Sequence, residues 1–152
     1  MARRSRRRFL AVATAGVVAA GSRAARAQLA VQPSGPLIES VTGGAPLRAG
    51  RVTLEIPRLA DNGHAVPLRI SVSSAMTDSD HVRTIHILAE RNPRPLVAAF
   101  HLNAHSGRAE VSTRVRLNGS QRVLVIAGLS DGSFWSGTAE VEVTESACLD
   151  AT

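Results

Sequence analysis

Cysteine is the side chain in this sequence best suited to covalent chemistry, and the chain has one, Cys148, four residues before its last residue. A lone cysteine cannot form an internal disulfide, so in an oxidising compartment it pairs with another molecule or stays free and reactive. Inert cysteines are usually buried, whereas Cys148 stands in a polar tail beyond the last strand pattern. Its sulfur could form and exchange disulfide or persulfide bonds. We therefore predict a covalent carrier thiol, with an inert leftover thiol as the alternative.

The rest of the sequence offers little catalytic chemistry. It contains neither a glycine-rich phosphate loop nor a nucleophile elbow. Two histidines, His101 and His105, are close in sequence but bracket a strand end and a turn. Solvated surface histidines are the default interpretation, and a metal site is the alternative. We predict no catalytic residue, no metal site and no cofactor. The histidines are His64, His81, His86, His101 and His105.

The N-terminus has the three parts of a removable signal peptide. Residues 5–10 have the residue order of the twin-arginine export signal, and a short apolar run follows. That run is too short to span a bilayer, and residues 25–27 form a small-any-small cleavage site. We expect cleavage after Ala27, twin-arginine export, and a periplasmic mature protein without a membrane span. The alternatives are a basic nucleic-acid-binding arm and a retained membrane anchor. The signal motif residues are Arg6, Arg7, Phe9 and Leu10.

The charge of the chain is concentrated in this segment. The formal net charge is +6, from 18 basic and 12 acidic residues. Seven arginines and no acids lie before residue 28, so the mature chain has 11 basic and 12 acidic residues and a net charge of −1. A nucleic-acid-binding function therefore loses its main support, which would be a basic face.

Alternating apolar and polar residues dominate the chain from residue 51 onward. The clearest run is 108–117, and such a period of two is typical of a half-buried strand. Turn signals rich in Asn, Asp, Gly, Pro and Ser separate these runs. We predict an all-β, immunoglobulin-like antiparallel sandwich of about seven strands over 51–145. Residues 28–50 have little periodicity and are predicted to be a linker or loosely attached lead-in, and 146–152 a C-terminal tail.

Two predicted strands are apolar on both faces. In 122–129 and in 96–102, apolar residues occupy both sets of alternating positions. Such a strand is either central in its sheet or covered on its outer face by something else. A partner subunit and a loop of the same chain are both consistent with this pattern.

The motifs from about residue 51 to 148 resemble those of the SoxY family, the substrate carriers of the periplasmic thiosulfate-oxidising system. The segments 92–95, Asn-Pro-Arg-Pro, and 110–114, Glu-Val-Ser-Thr-Arg, contribute most to this resemblance. The other matching segments are 54–57, 61–67, 76–77, 85–91, 109–117 and 130–133.

The resemblance implies an immunoglobulin-like sandwich that pairs with a small SoxZ-like subunit. It also implies a cysteine near the C-terminus that holds sulfur intermediates while Sox enzymes load, oxidise and hydrolyse them, so that the carrier itself is not an enzyme. Counted from the final Val-Thr, Cys148 falls on the carrier position. Export in the folded state suits a protein that crosses the membrane with a partner that has no signal of its own.

The tail departs from the family pattern at the carrier position. The family tail reads Gly-Gly-Cys-Gly-Gly, whereas residues 146–152 read Ser-Ala-Cys-Leu-Asp-Ala-Thr. Glycine has no side chain and leaves the backbone of an arm flexible, whereas Leu149 places a branched side chain beside the sulfur. Two functions therefore remain open: a working sulfur carrier, and a scaffold module that still pairs with a SoxZ-like subunit but has lost the carrier role.

Overall fold

The fold is a sandwich of two β-sheets, seen in a computed structural model that describes residues 35–146. The predictions about the export signal, its cleavage site and Cys148 fall outside these residues. The elements are α1 Gly35–Thr42, β1 Leu47–Ala49, β2 Val52–Glu55, β3 Leu59–Asn62, β4 Val66–Val72, β5 Val82–Ala89, β6 Leu96–His101, a short 3₁₀ helix Ala104–Ser106, β7 Glu110–Val115, β8 Gln121–Leu129 and β9 Phe134–Glu145. The large sheet has the order β1-β9-β8-β5-β6 with β3 also paired to β9, and the small sheet has the order β2-β4-β7.

The predicted strand faces pack against each other between the sheets. On β4 and β7, Ile70 and Val115 are 0% and 3% exposed, while Arg69 and Arg114 on the opposite face are exposed. Burying an aliphatic side chain of this size stabilises a fold by about 1.5–3 kcal/mol. The all-β, immunoglobulin-like sandwich is therefore confirmed, with nine strands in the described range where about seven were predicted.

Residues 35–49 form regular structure in the segment that the sequence predicted to be a linker or loosely attached lead-in. They contain α1 and β1, and α1 places Leu37, Ile38 and Val41 against the outer face of the large sheet. The helix ends before Gly43, whose φ of +64° suits a residue without a side chain. A helix of eight residues is marginal by itself, so packing on the sheet supplies most of its stability. The sequence signal was missed because it covers only two turns.

This helix explains why β8 is apolar on both faces. β8 lies between β9 and β5 in the large sheet, and its outward Leu124 and Ile126 pack against α1. The strand is therefore both central and covered, and the cover is a helix of the same chain. β6 differs, because within the described part of the chain it is an edge strand that pairs with β5 alone, and its outward Ala99 is exposed.

Two short strands that the sequence did not predict pair with one edge of β9. β1 pairs with β9 at Phe134–Ser136 and β3 pairs with it from Glu142 to Glu145, both in parallel orientation. The residues Asp61-Asn62-Gly63 have the composition of a turn, but Asp61 and Asn62 end β3, and the bend follows at 63–65. Strands of three and four residues are too short to show alternation, so only the neighbouring strand β9 reveals them.

Candidate functional site

The C-terminal tail leaves the sandwich at a point where three loops meet the end of β9. We call this region the tail end, and it comprises Ser146 and the loops 63–65, 90–95 and 116–120. Ser146 Oγ donates a hydrogen bond of 2.6 Å to Asn118 Oδ1, and the carbonyl oxygen of Glu145 accepts one of 2.7 Å from Gly63 N. The tail therefore starts from a fixed position on the fold.

Asn92, from the Asn-Pro-Arg-Pro segment, joins two of these loops. Its Oδ1 accepts hydrogen bonds from Asn118 N at 2.8 Å and Gln121 Nε2 at 3.0 Å. Its Nδ2 donates to the carbonyl oxygen of Arg116 at 2.8 Å. The side chain thus satisfies backbone groups of a loop 24 or more residues further along the chain. A residue that the sequence analysis gave only as part of a family motif therefore positions the loop that holds Ser146.

Gln121 is the buried polar residue of this network, with 5% of its surface exposed. It lies at the start of β8 on the inward face, where the alternation requires an apolar residue. Its Oε1 accepts from Arg91 N at 2.8 Å, and its Nε2 also donates to the carbonyl oxygen of Gly119 at 3.3 Å. Buried polar groups must be hydrogen-bonded to be tolerated. A polar residue on the apolar face of β8 was thus the sequence signal for this network.

Ser120 ties the loop directly to β9. Its Oγ accepts a hydrogen bond of 2.9 Å from Val143 N and donates one of 3.4 Å to the carbonyl oxygen of the same residue. The hydroxyl therefore replaces a strand at the edge of β9, just before the tail begins. Arg91 Nη1 donates to the carbonyl oxygen of Ser120 at 2.8 Å, which holds this loop from its other side.

The geometry can hold a short reactive arm close to the fold. Cys148 is two residues beyond Ser146, so its Cα lies within about 7 Å of that of Ser146 by covalent reach alone. The root of the arm is fixed by neutral side chains and backbone groups. Cys148 is the one cysteine in the sequence, so we expect thiol chemistry of this chain to occur within reach of the tail end.

The histidines do not converge on a site. His101 lies at the end of β6 and His105 in the 3₁₀ helix, and no group of three or more His, Cys, Asp or Glu residues in the described part of the chain could hold a metal ion. His86 lies on the outer face of β5, but its Nδ1 is buried and has no hydrogen-bond partner among residues 35–146. Burial and the neighbouring His101 hold the pKa of His86 below its usual value.

The family model described as sulfur oxidation protein SoxY matches residues 38–148. The chain belongs to the SoxY family. No curated protein matches it significantly in sequence. The match begins within α1, so the family pattern includes the helix and β1 that the sequence analysis assigned to a lead-in. It ends on Cys148.

Solved structures share the fold. The sulfur carrier protein SoxY from Chlorobium limicola f thiosulfatophilum is similar, with a TM-score of 0.61 and 25% identity over 71% of this chain and 89% of that chain. A putative superoxide reductase from Thermotoga maritima has a TM-score of 0.57 and 17% identity over 66% of this SoxY family chain and 95% of that chain. A superoxide reductase (neelaredoxin) from Ignicoccus hospitalis has a TM-score of 0.56 and 16% identity over 62% of this chain and 80% of that chain. At these identities, the two reductases show the fold alone.

Proposed function

We propose that this SoxY family protein is a periplasmic carrier that holds sulfur intermediates of thiosulfate oxidation covalently on Cys148 for partner enzymes, without catalysing their reactions. The observation that carries the proposal is that the family match runs through to Cys148, three residues beyond the end of β9 and two beyond the hydrogen-bonded Ser146. A carrier must present its cargo at a repeatable place and then release it. A fixed root followed by a short arm suits that requirement.

The proposal includes a SoxZ-like subunit, with which the protein forms a heterodimer, and export of the folded protein by the twin-arginine pathway. Support for both comes from the SoxY family and from the residue order at positions 5–10. No helix within residues 35–146 is long and apolar enough to cross a membrane.

The composition of the tail favours a second candidate function. Leu149 and Asp150 replace glycines of the family tail, so the thiol has a bulky neighbour and nearby negative charge. Negative charge disfavours the thiolate, which is the reactive form. In this alternative, the protein is a scaffold that binds a SoxZ-like subunit and no longer carries sulfur.

Intact mass spectrometry under non-reducing conditions distinguishes the two functions. The protein is purified from the periplasm of cells grown with and without thiosulfate. A reducible, sulfur-containing mass increase that appears with thiosulfate and is absent from Cys148→Ser supports the carrier. A bare thiol in both samples, together with a co-purifying small sandwich subunit, supports the scaffold.

A matched pair of variants tests the role of the tail composition. Ala147→Gly and Leu149→Gly together restore the slim neighbours of the sulfur, whereas Ala151→Gly changes a position farther from it. If the carrier is active but slowed by its bulky neighbour, the double variant accumulates adduct faster and Ala151→Gly does not. Equal loading of all three proteins would show that the neighbours of Cys148 do not limit the chemistry.

A further inference from the structure

One edge of β9 is only partly covered. β1 pairs with it up to Ser136, and β3 pairs with it from Glu142 onward. Between them the chain leaves this edge, crosses to the small sheet as β2, and returns as β3. Among residues 35–146, no strand therefore pairs with the five residues Gly137–Val141 on this side, and we call them the β9 gap.

Backbone N–H and C=O groups of the β9 gap point to the open edge of the strand. The N–H of Glu142 points to this edge, where it donates 2.7 Å to the carbonyl oxygen of Arg58. Because alternate residues of a strand direct their backbone groups to the same edge, Thr138 and Glu140 present theirs beside it. Both residues are exposed, and neither has a strand partner on this edge among the described residues.

The β9 gap forms one wall of a groove with a volume of about 660 Å³. Leu54 and Ile56 of the crossing segment line it, together with Leu59 of β3, which is 61% exposed. β2 approaches closely at one end of the gap, since a Cβ on Gly137 would lie 2.6 Å from the carbonyl oxygen of Val52. The groove is therefore apolar on its floor and has unpaired backbone groups along one side.

The charges around this groove are unbalanced. Glu140, Glu142 and Arg58 line it, and the two carboxylates form no ion pair with any residue of the described range. An opposite charge placed across a strand pair contributes roughly 0.2–1 kcal/mol. The excess of carboxylate therefore favours a basic occupant.

We propose that the β9 gap binds an extended, basic segment of a partner protein, about five residues long, which adds a strand between β1 and β3. Main-chain hydrogen bonds to Thr138 and Glu140 supply the affinity in this mode of binding, and side-chain pockets supply the specificity. Alternate side chains of the segment enter the apolar groove, and a basic side chain pairs with Glu140 or Glu142. This inference goes beyond the proposed carrier function and does not require Cys148.

Binding of two matched peptides tests the inference. The probes are fluorescein-labelled Val-Arg-Val-Arg-Val and Val-Glu-Val-Glu-Val, and binding is measured by fluorescence anisotropy. We expect the basic peptide to bind at least tenfold more tightly than the acidic one. Glu140→Arg with Glu142→Arg should reverse this preference, whereas Glu39→Arg, which lies exposed on α1, should leave it unchanged. Equal affinity for both peptides, or insensitivity to the double variant, would overturn the proposal.

Amide hydrogen exchange of the full chain locates the site. Saturating basic peptide should slow exchange at Thr138 and Glu140 at least tenfold and leave the β6 edge at Ala99 unaffected. Protection of the two amides in the free monomer would show that another segment of this chain fills the gap. Protection that rises with protein concentration would assign the gap to a second copy, and protection at β6 to a different edge. Each of these results would overturn the proposal that a partner segment binds in the β9 gap.

The same measurements with Cys148→Ser separate this inference from the carrier function. Peptide binding should be unchanged in that variant, whether or not the wild-type protein carries sulfur. Thermal unfolding of the double arginine variant serves as the folding control. If that variant is destabilised, Glu142→Arg alone should still reduce the affinity for the basic peptide severalfold.

Discussion

The two ends of the sandwich are held together in different ways. At the tail end, the side-chain amide of Asn92 accepts hydrogen bonds from the backbone of Asn118 and the side chain of Gln121, and all three residues are at least half-buried. At the opposite end, which we call the far end, charged side chains surround Trp135. Arg51 and Arg48 lie 5.1 and 5.7 Å from the centre of its ring.

The polar contacts of the far end are exposed to solvent. Arg51 pairs with Asp80 at 3.5 Å, and the two side chains are 40% and 42% exposed. Asp131 accepts hydrogen bonds from Ser133, whose Oγ in turn accepts from Trp135 Nε1 at 3.0 Å. Exposed ion pairs contribute about 0–1 kcal/mol and weaken with salt. The comparison indicates that the tail end is held by partly buried hydrogen bonds and by the partly buried Glu90–Arg122 ion pair, whereas the far end depends on exposed contacts.

Asn92→Ala should have the largest effect on this difference. The substitution removes three hydrogen bonds. The N–H of Asn118, one N–H of Gln121 Nε2 and the carbonyl oxygen of Arg116 each lose the partner that Asn92 provides. We expect a loss of roughly 2–4 kcal/mol in the free energy of unfolding, measured by urea denaturation. Asn103→Ala removes the cap of the 3₁₀ helix at the far end and should cost only about 1 kcal/mol. Equal losses would remove the distinction between the ends.

Ser146→Ala should have a smaller, local effect. It deletes the one hydrogen bond from Ser146 to Asn118, worth about 0.5–1.5 kcal/mol. Amide exchange at Glu145 and Ser146 should accelerate, while exchange in β5 stays unchanged. If the exchange rates at the end of β9 do not change, Gly63 alone fixes the root of the tail.

Arg51→Gly should have a still smaller effect on stability. Its φ of +55° is strained for a residue with a side chain, and glycine relieves that strain. Arg51→Ala should therefore cost about 1 kcal/mol, whereas Arg51→Gly should change stability by less than about 0.5 kcal/mol. Thermal unfolding at low and high salt measures both. A larger loss for the glycine variant would mean that the arginine contacts at Trp135 outweigh the strain.

Acid should loosen the contacts of Asp131 at the far end without breaking the amide hydrogen bonds of Asn92 at the tail end. Hydrogen bonds from Ser133 hold the pKa of Asp131 below its usual value, and Arg51 and Arg48 lower it further. Its stabilising effect is present above the unfolded value of about 3.8 and is lost as pH falls through the lower folded pKa. The amide resonance of Ser133 should titrate in that range, and that of Asn118 should not. Asp131→Asn should abolish the titration at Ser133, and a persistent titration would assign it to another group.

The sequence determined the parts of this protein that depend on local periodicity. The alternation in 66–72 and 108–117 was sufficient to predict the strands and their buried faces, because a strand with one apolar face buries every second residue. The family resemblance was likewise evident from short motifs such as Asn92-Pro93-Arg94-Pro95, and the family model confirms it. The sequence predicted neither α1 nor the strands β1 and β3, because segments of eight, three and four residues carry too little pattern.

Only the tertiary structure revealed the contacts on which the candidate sites depend. Asn92 and Asn118 are 26 residues apart, and their hydrogen bond exists because β5 and β7 end, and β8 begins, at the same side of the sandwich. The β9 gap likewise arises from a chain that leaves one sheet and returns to it. Local sequence fixes which face of a strand is apolar, but loop contacts and open edges depend on which strands become neighbours, and that follows from packing of the whole core.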